Sequence, residues 1–516
     1  MRRDIPRLAD SSFDLLVVGA GIYGACAAWD ASLRGLSVAV VDQDDFGAAT
    51  SANSLRIVHG GLRYLARGDF RRMRESIRER STLLRIAPSL VQPLEVLVPT
   101  YGHATRGRLA HAAALALNDL VSFRRNGGLD PSGHIPASRL ISRDECLSRF
   151  PWFPSAGLTG GAVWYDAQLR HPERLTLSFL KSAARQGAQP VNYLRVDRLL
   201  VTGGAVHGAA VTDRLTGAQF AVRAQAVLVA AGPWTDHIVD TVVSTPTSPE
   251  TVRSLSRHAL AMNVVVGRQL ADTAVGVRAR SGRQDDPVCG GGRFLFCAPH
   301  GGGSVLGTWY AAAAVGTEST LAHGAQALVN EFNDACPGLG LTDRDVVHCQ
   351  WGWLPLKDRR EPGRPDALAE RPRITDHEAA GVRRLISVEG VKFTTARQVV
   401  ERAIDRVFVS LGRPIPPCRT AAQQLEGAGD AVPSAAVISE EDIRRAVREE
   451  MAVTLSDLVF RRTTLGAAPK LRRLAVEAAA RTFAAESGWD TVREGEEVEA
   501  VMKEAGTPRT LMETVA

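Results

Sequence analysis

Near the start of the chain, Gly19-Ala20-Gly21-Ile22-Tyr23-Gly24 has GxGxxG spacing, and Asp42 follows Gly24 by 18 positions. The spacing alone is common, and its surroundings give it meaning. Phe13–Gly19 reads as a buried parallel strand, Ala25–Arg34 as an alanine-rich helix, and Ser37–Val41 as a second apolar strand. That is a βαβ unit with glycines at its first turn and an acid closing its second strand, as dinucleotide binding requires. Gly19 permits the tight turn. Gly21 lets backbone approach a pyrophosphate, and Gly24 lets the helix pack on the strand. Ile22 and Tyr23 open the helix, whose free N–H groups and partial positive charge suit phosphate. Asp42, with Gln43 beside it, would accept hydrogen bonds from the adenosine ribose hydroxyls.

The fingerprint does not choose between NAD and FAD, but two further segments favour FAD. Ala49-Thr50-Ser51-Ala52-Asn53-Ser54 is small and hydroxyl-rich, suited to a second phosphate and a ribitol chain. Far along the chain, the strand Ile386-Ser387-Val388-Glu389-Gly390 runs at once into a helix near Thr394. A helix N-terminus there would face a flavin's pyrimidine edge and stabilise the negative charge gathered on reduction. NAD needs neither segment.

These sites need elements to position them. The chain has 516 residues, enough for two or three domains. Its 45% hydrophobic and 23% charged residues are ordinary for a soluble globular protein. A net charge of +6 favours anionic ligands or an anionic membrane surface, while no Lys/Arg run has interleaved aromatics to suggest nucleic acid. The seven cysteines form no CxxC pair and no cluster with histidines, which predicts reduced thiols, a cytoplasmic setting and no metal site. Met1–Asp10 lacks the apolar core of a signal peptide, and no run of 18 apolar residues predicts a membrane span.

Arg71–Arg85 and Leu109–Phe123 read as helices, Arg195–Ala231 as alternating strands turning at Gly203-Gly204, and Met262–Val266 and Phe294–Phe296 as strands of a second sheet. Pro355–Pro372 reads as a loop. Pro414–Ser434 reads as a linker into a helical end that Ser439 caps with Asp442. The residues thus read as an α/β dinucleotide-binding unit, a second sheet and a helical end. The expected division is 12–100, 155–240 and 380–412 for the FAD-binding unit, 101–154 and 241–379 for the substrate unit, and 413–516 for the helices.

Four ordered segments between about Asp14 and Gly466 resemble the FAD-dependent glycerol-3-phosphate dehydrogenase family. They are Ala49-Thr50-Ser51 through His59-Gly60-Gly61-Leu62-Arg63-Tyr64-Leu65, then Ala230-Ala231-Gly232-Pro233-Trp234-Thr235-Asp236, then Ser387-Val388-Glu389-Gly390-Val391-Lys392-Phe393-Thr394-Thr395, and Asp457 through Gly466. The resemblance implies that Thr50, Ser51, Ser54, Gly232, Trp234, Gly390, Lys392, Phe393, Thr394 and Thr395 contact FAD. It implies that His59, Arg63 and Lys392 surround a secondary alcohol, with His59 the natural proton acceptor. Tyr64, His258, Arg371 and Arg373 fall in its substrate-binding segments. The resemblance also implies the fold class, an α/β FAD-binding Rossmann-type domain with an antiparallel-sheet substrate domain and a C-terminal all-helical domain, together with a quinone acceptor and peripheral attachment to the membrane surface; a homodimer is the expected assembly. Arg71–Arg85 and Leu109–Phe123 are the segments suited to that surface.

Two departures bear on the substrate. Where the family reads Val-Arg-Pro-Leu, this chain has Trp353-Leu354-Pro355-Leu356, and where it reads Gly-Thr-Thr-Asp, this chain has Gly307-Thr308-Trp309-Tyr310. Leu354 cannot bind phosphate, while Trp309 and Tyr310 would offer flat apolar surface to a larger ring. Lys357 either restores the charge or belongs to the solvated run Lys357–Arg360. The leading function is oxidation of glycerol 3-phosphate or a related polyol phosphate by hydride transfer to flavin. The alternative is a flavin oxidase or dehydrogenase of another sugar, cyclitol or amine. A flavoprotein without turnover is the third reading, disfavoured by His59, Arg63 and Lys392.

Overall fold

The computed structural model describes residues 1–102, 107–243, 258–280, 293–312, 318–357, 366–428, 438–468 and 471–515. Two mixed sheets form its body. In the first, Ser12–Val18 lies between Gln219–Val229 and Val38–Val41, all parallel, with Leu385–Glu389 parallel beyond one side and Gln189–Val191 beyond the other. These strands read as unbroken apolar runs because both of their faces are covered. On one face pack the helices Ile22–Leu33, Pro172–Arg185 and Ala396–Ser410, with Trp29 and Phe179 meeting edge-on at 5.4 Å. Leu194–Thr202 and Ala205–Asp213 turn at Gly203 and Gly204 and return beside Gln219–Val229, as the alternation predicts.

The second sheet places Val346–Pro355 at one edge, followed by His258–Val266, Gly303–Ala312, Phe294–His300, Ala274–Arg278, Val91–Tyr101, Leu158–Leu169 and Ile57–Val58. The helix Glu318–Ala335 covers one of its faces, where Phe332 is buried. Val91–Tyr101 and Leu158–Leu169 are paired along their whole length in this sheet. The sequence division placed both with the FAD-binding unit. The chain crosses between sheets beside these strands without a Pro/Gly-rich linker, so composition does not mark the crossing.

The C-terminal helices Glu440–Glu450, Arg473–Ser487 and Thr491–Val515 bury a core of their own around Phe483 and Leu458. Ser439 caps the first of them reciprocally with Asp442, as its spacing predicts. Buried charge ties this unit to the body. Asp45 accepts from Arg461 Nε at 2.6 Å and from Arg462 Nη1 and Nη2 at 2.7 and 2.6 Å. Burial would raise the Asp45 carboxyl, but the two guanidinium groups hold it well below its ordinary value. Residues 358–365 of the Pro355–Pro372 loop and 429–434 of the linker lie outside the described residues.

Candidate active site

The carboxyl ends of the parallel strands form the edge where α/β sheets bind ligands. Gly19 leaves its strand at φ +95°, where a Cβ would lie 2.6 Å from the Ala230 carbonyl oxygen. A Cβ on Gly24 would lie 1.8 Å from the Gly19 carbonyl oxygen, so helix and strand meet without room for any side chain. Gly21 differs. Its nearest neighbour would be the Ser51 hydroxyl at 2.9 Å, a group able to turn away, which leaves open backbone at the helix N-terminus. There the Ile22 N–H donates to Ser51 Oγ at 3.0 Å, a position that suits a phosphate oxygen. Asp42 closes its strand by accepting from Ala20 N at 2.6 Å and Asp44 N at 3.1 Å. Burial pushes its carboxyl up to about 7, against these two donors.

At the other end of the same edge, Leu385–Glu389 leads through Gly390–Thr395 into Ala396–Ser410, with Thr395 as N-cap and Thr394 buried. Lys392 Nζ lies 4.2 Å from the centroid of the buried Tyr64 ring. The Arg63 guanidinium lies 5.2 Å from that centroid, and its Nη2 donates to the Tyr64 hydroxyl at 3.3 Å. Burial and the Arg63 charge push the Lys392 ammonium down to about 7. Among the described residues neither Arg63 nor Lys392 forms an ion pair with a carboxylate. Arg72, 4.9 Å from the same centroid, is instead neutralised by Asp69 and by Glu370, at 2.9 Å from the latter.

Two histidine–carboxylate pairs lie close to this group in the chain, through His59 four residues before Arg63 and Glu389 three residues before Lys392. His59 Nδ1 lies 3.4 Å from Asp166 Oδ2. Asp166 Oδ1 also accepts from Gly60 N at 2.6 Å and Arg80 Nη1 at 2.8 Å. Burial opposes ionisation of Asp166, yet His59, Arg80 and Gly60 hold its carboxyl at about 2. His258 Nε2 lies 3.2 Å from Glu389 Oε1, and Arg373 Nη2 lies 3.0 Å from Glu389 Oε2.

Residues 14–396 match the family model described as FAD dependent oxidoreductase, and residues 415–494 match the C-terminal domain of alpha-glycerophosphate oxidase. A glycerol-3-phosphate dehydrogenase of Synechocystis sp. is 33% identical over 83% of this chain and 75% of its own. The chain belongs to the FAD-dependent glycerol-3-phosphate dehydrogenase family. The human mitochondrial glycerol-3-phosphate dehydrogenase is 28% identical over 87% of this chain, which spans 60% of that relative's length. The FAD-complexed glycerol-3-phosphate dehydrogenase structure from Bacillus halodurans shares the fold at TM-score 0.73 and 22% identity, covering 98% of this chain and 97% of its own. FAD is therefore the cofactor, and the glycine cradle with its open helix N-terminus fits it.

Within this glycerol-3-phosphate dehydrogenase-type site, several sequence-predicted residues have protein partners of their own. Thr50 does not face the dinucleotide helix: its Oγ1 accepts from Trp353 N at 3.0 Å, against Gly352. Tyr23 sends its hydroxyl to the Lys392 carbonyl oxygen at 2.8 Å. Ser54 Oγ accepts from Arg56 N at 3.3 Å, and the Gln43 carbonyl accepts from Arg214 at 2.9 Å. Phe393 packs against the first sheet's core. Gly232, at φ +55°, opens the short turn to Trp234, which is exposed.

Trp309 departs furthest from its expected role. Its register partner is Met262, and its indole is 1% exposed, packed on Gly324 beneath the covering helix. Strand alternation puts Tyr310 on the opposite face, beside Ala261 and Gly352. Leu354 is partly buried on that same face, paired with Ala259. Arg371 is exposed at the rim near Asp69. Lys357 lies 3.6 Å from Glu370, so its charge is already answered. Sequence reasoning missed Asp166, Arg80 and Glu389. The only local cue was a carboxylate within an otherwise apolar strand, as Asp166 in Trp164-Tyr165-Asp166.

Proposed function

We propose that the chain oxidises the secondary hydroxyl of glycerol 3-phosphate to a ketone. The observation that carries this reading is the Arg63–Lys392 pair around Tyr64, two neighbouring cations without a carboxylate partner among the described residues. A half-buried ammonium pushed down to about 7 beside a guanidinium is a site short of negative charge, and a phosphate dianion supplies it. Bound FAD supplies the hydride acceptor. Arg63 and Lys392 hold the substrate's anionic end and oxygen, and His59 takes the hydroxyl proton while Asp166 orients its ring. Leu354 removes one phosphate donor and Trp309 adds no open surface, so the site reads as a phosphate site with fewer contacts. Anaerobic flavin bleaching tests this. Glycerol 3-phosphate should bleach the enzyme where equal glycerol or inositol does not, and equal bleaching by an uncharged polyol would refute the assignment.

The electron acceptor in this reading is a membrane quinone. No helix among the described residues is long and apolar enough to cross a membrane. The helix Arg108–Val121 nevertheless exposes Leu109 (87%) and Leu120 (69%), with Phe123 (75%) just beyond it. Arg71, Arg74, Arg78 and Arg124 are also exposed, whereas Arg80 is buried on Asp166. Apolar side chains with basic neighbours suit an anionic interface. Sedimentation with anionic vesicles should pull the protein down at low salt and weaken as salt rises. Protein that stays in the supernatant at low salt counts against the membrane contact.

A further inference from the structure

We propose that Tyr23 is a positioning residue that fixes Lys392 from the dinucleotide helix, rather than a contact to the cofactor. The inference rests on the reading of Lys392 as a substrate-holding group. Tyr23 occupies a variable position of the fingerprint, between Ile22, whose N–H caps the anion end of the helix, and Gly24, which has no room for a side chain. Its ring turns away from that end and crosses to the loop after Leu385–Glu389. A Cβ on Gly390 would lie 2.0 Å from two carbons of the ring, so the ring fills the hollow that Gly390 leaves. Its hydroxyl donates to the Lys392 carbonyl oxygen at 2.8 Å, with the Val391 backbone and the Thr395 side chain also among its hydrogen-bonding neighbours.

Lys392 is thereby gripped at both ends. Tyr23 holds its backbone, and Tyr64 holds its ammonium at 4.2 Å from the ring centroid. The two tyrosines come from the dinucleotide helix and from the turn Leu62–Arg67, so neither end is fixed by the lysine's own loop. Burial pushes the Tyr23 phenol far above its ordinary value, which keeps the hydroxyl a donor at every working pH. The helix that presents N–H groups to the pyrophosphate is thus rigidly joined to the lysine that faces the substrate. Ordering the first orders the second.

Tyr23→Phe keeps the ring against Gly390 and removes only the hydroxyl. The variant should retain FAD in full. Its limiting rate of anaerobic reduction by glycerol 3-phosphate should fall about two- to tenfold, the value of one net hydrogen bond, and the substrate concentration giving half that rate should rise, since Lys392 holds the substrate. The high-pH limb of that rate should also move upward, since a looser loop lets water reach Nζ and relieves its burial. The charged groups around Nζ are Arg63 and, across the Tyr64 ring, Arg72 with its partners Asp69 and Glu370; none of these is altered. Amide hydrogen exchange adds a readout that needs no substrate. Residues 390–395 should exchange faster in the variant, and residues 19–22 should not. A wild-type enzyme that glycerol 3-phosphate does not bleach overturns the substrate reading and leaves the exchange result to judge Tyr23. Loss of FAD from the variant makes Tyr23 a cofactor contact. Unchanged rate, pH limb and exchange make the ring a spacer. Either result overturns the proposal.

Discussion

The dinucleotide end and the substrate end of this site are built on different principles. The dinucleotide end is local: Gly19, Gly21, Gly24 and Asp42 lie within one βαβ unit, and each has its reason in backbone geometry. The proposed substrate end brings together Arg63 and Tyr64 from one turn and Lys392 from more than three hundred residues later, with the His258–Glu389 pair joining two different sheets. The first tolerates almost no change because backbone touches backbone. The second works through side chains whose charge and orientation can be altered one at a time.

Replacing Gly24 with Val should produce the largest effect. A Cβ there overlaps the Gly19 carbonyl oxygen at 1.8 Å, and neither atom belongs to a flexible side chain. We expect protein without bound FAD, read from the missing flavin absorbance. A stoichiometric holoenzyme would erase the contrast between the two ends.

Lys392→Met is next and should separate them. FAD stays bound while the rate of flavin reduction by glycerol 3-phosphate falls on the order of a hundredfold or more, as for other lost charges in water-poor sites. Stopped-flow reduction measures it, and near-wild-type reduction removes Lys392 from the site. In the unaltered enzyme Lys392 is lowered to about 7, so its charge is present below that pH and lost above it. Affinity for a phosphate dianion should therefore weaken as pH rises through about 7.

Glu389→Gln tests whether the His258 pair belongs to the substrate end. The substitution keeps the shape and removes the charge that His258 and Arg373 share, at 3.2 and 3.0 Å. A fall in kcat of about tenfold, with FAD retained, is expected from a charge-assisted contact of this kind. Equal kcat/KM in variant and wild type makes the pair a brace between sheets and nothing more.

The smallest effect concerns acid sensitivity between the body and the C-terminal helices. His171 is lowered to about 3 and His348 to about 4, in both cases by burial first and then by Arg56, and His300 is likewise held well below its ordinary value by burial and then Arg56. The unfolded chain takes up protons near the ordinary histidine value of about 6.5, whereas the folded chain resists them. Their contribution to stability is thus fully present above about 6.5 and lost as pH falls towards 4. Thermal melting of His348→Gln, whose parent ring stacks on Phe460 at 6.3 Å, should show a shallower decline over that window. An unchanged slope would assign the acid sensitivity to other groups.

The sequence by itself determined the dinucleotide βαβ unit and the helical end. Strand, glycine turn and helix are set by neighbours within a few residues, and capping by Ser439 and Asp442 is equally local. It also marked Arg63 and Lys392, though only through the family's motifs. Tertiary structure decided the rest. Trp309 and Tyr310 are adjacent, and only the side on which the helix Glu318–Ala335 packs sends the first into the core and leaves the second on the open face. Thr50 and Ser51 are likewise adjacent, yet one meets the second sheet and the other the dinucleotide helix. Asp166 reaches His59, and Glu389 reaches His258, across more than a hundred residues each. The partner of a buried charge is fixed by which strand comes alongside, and no local pattern records it.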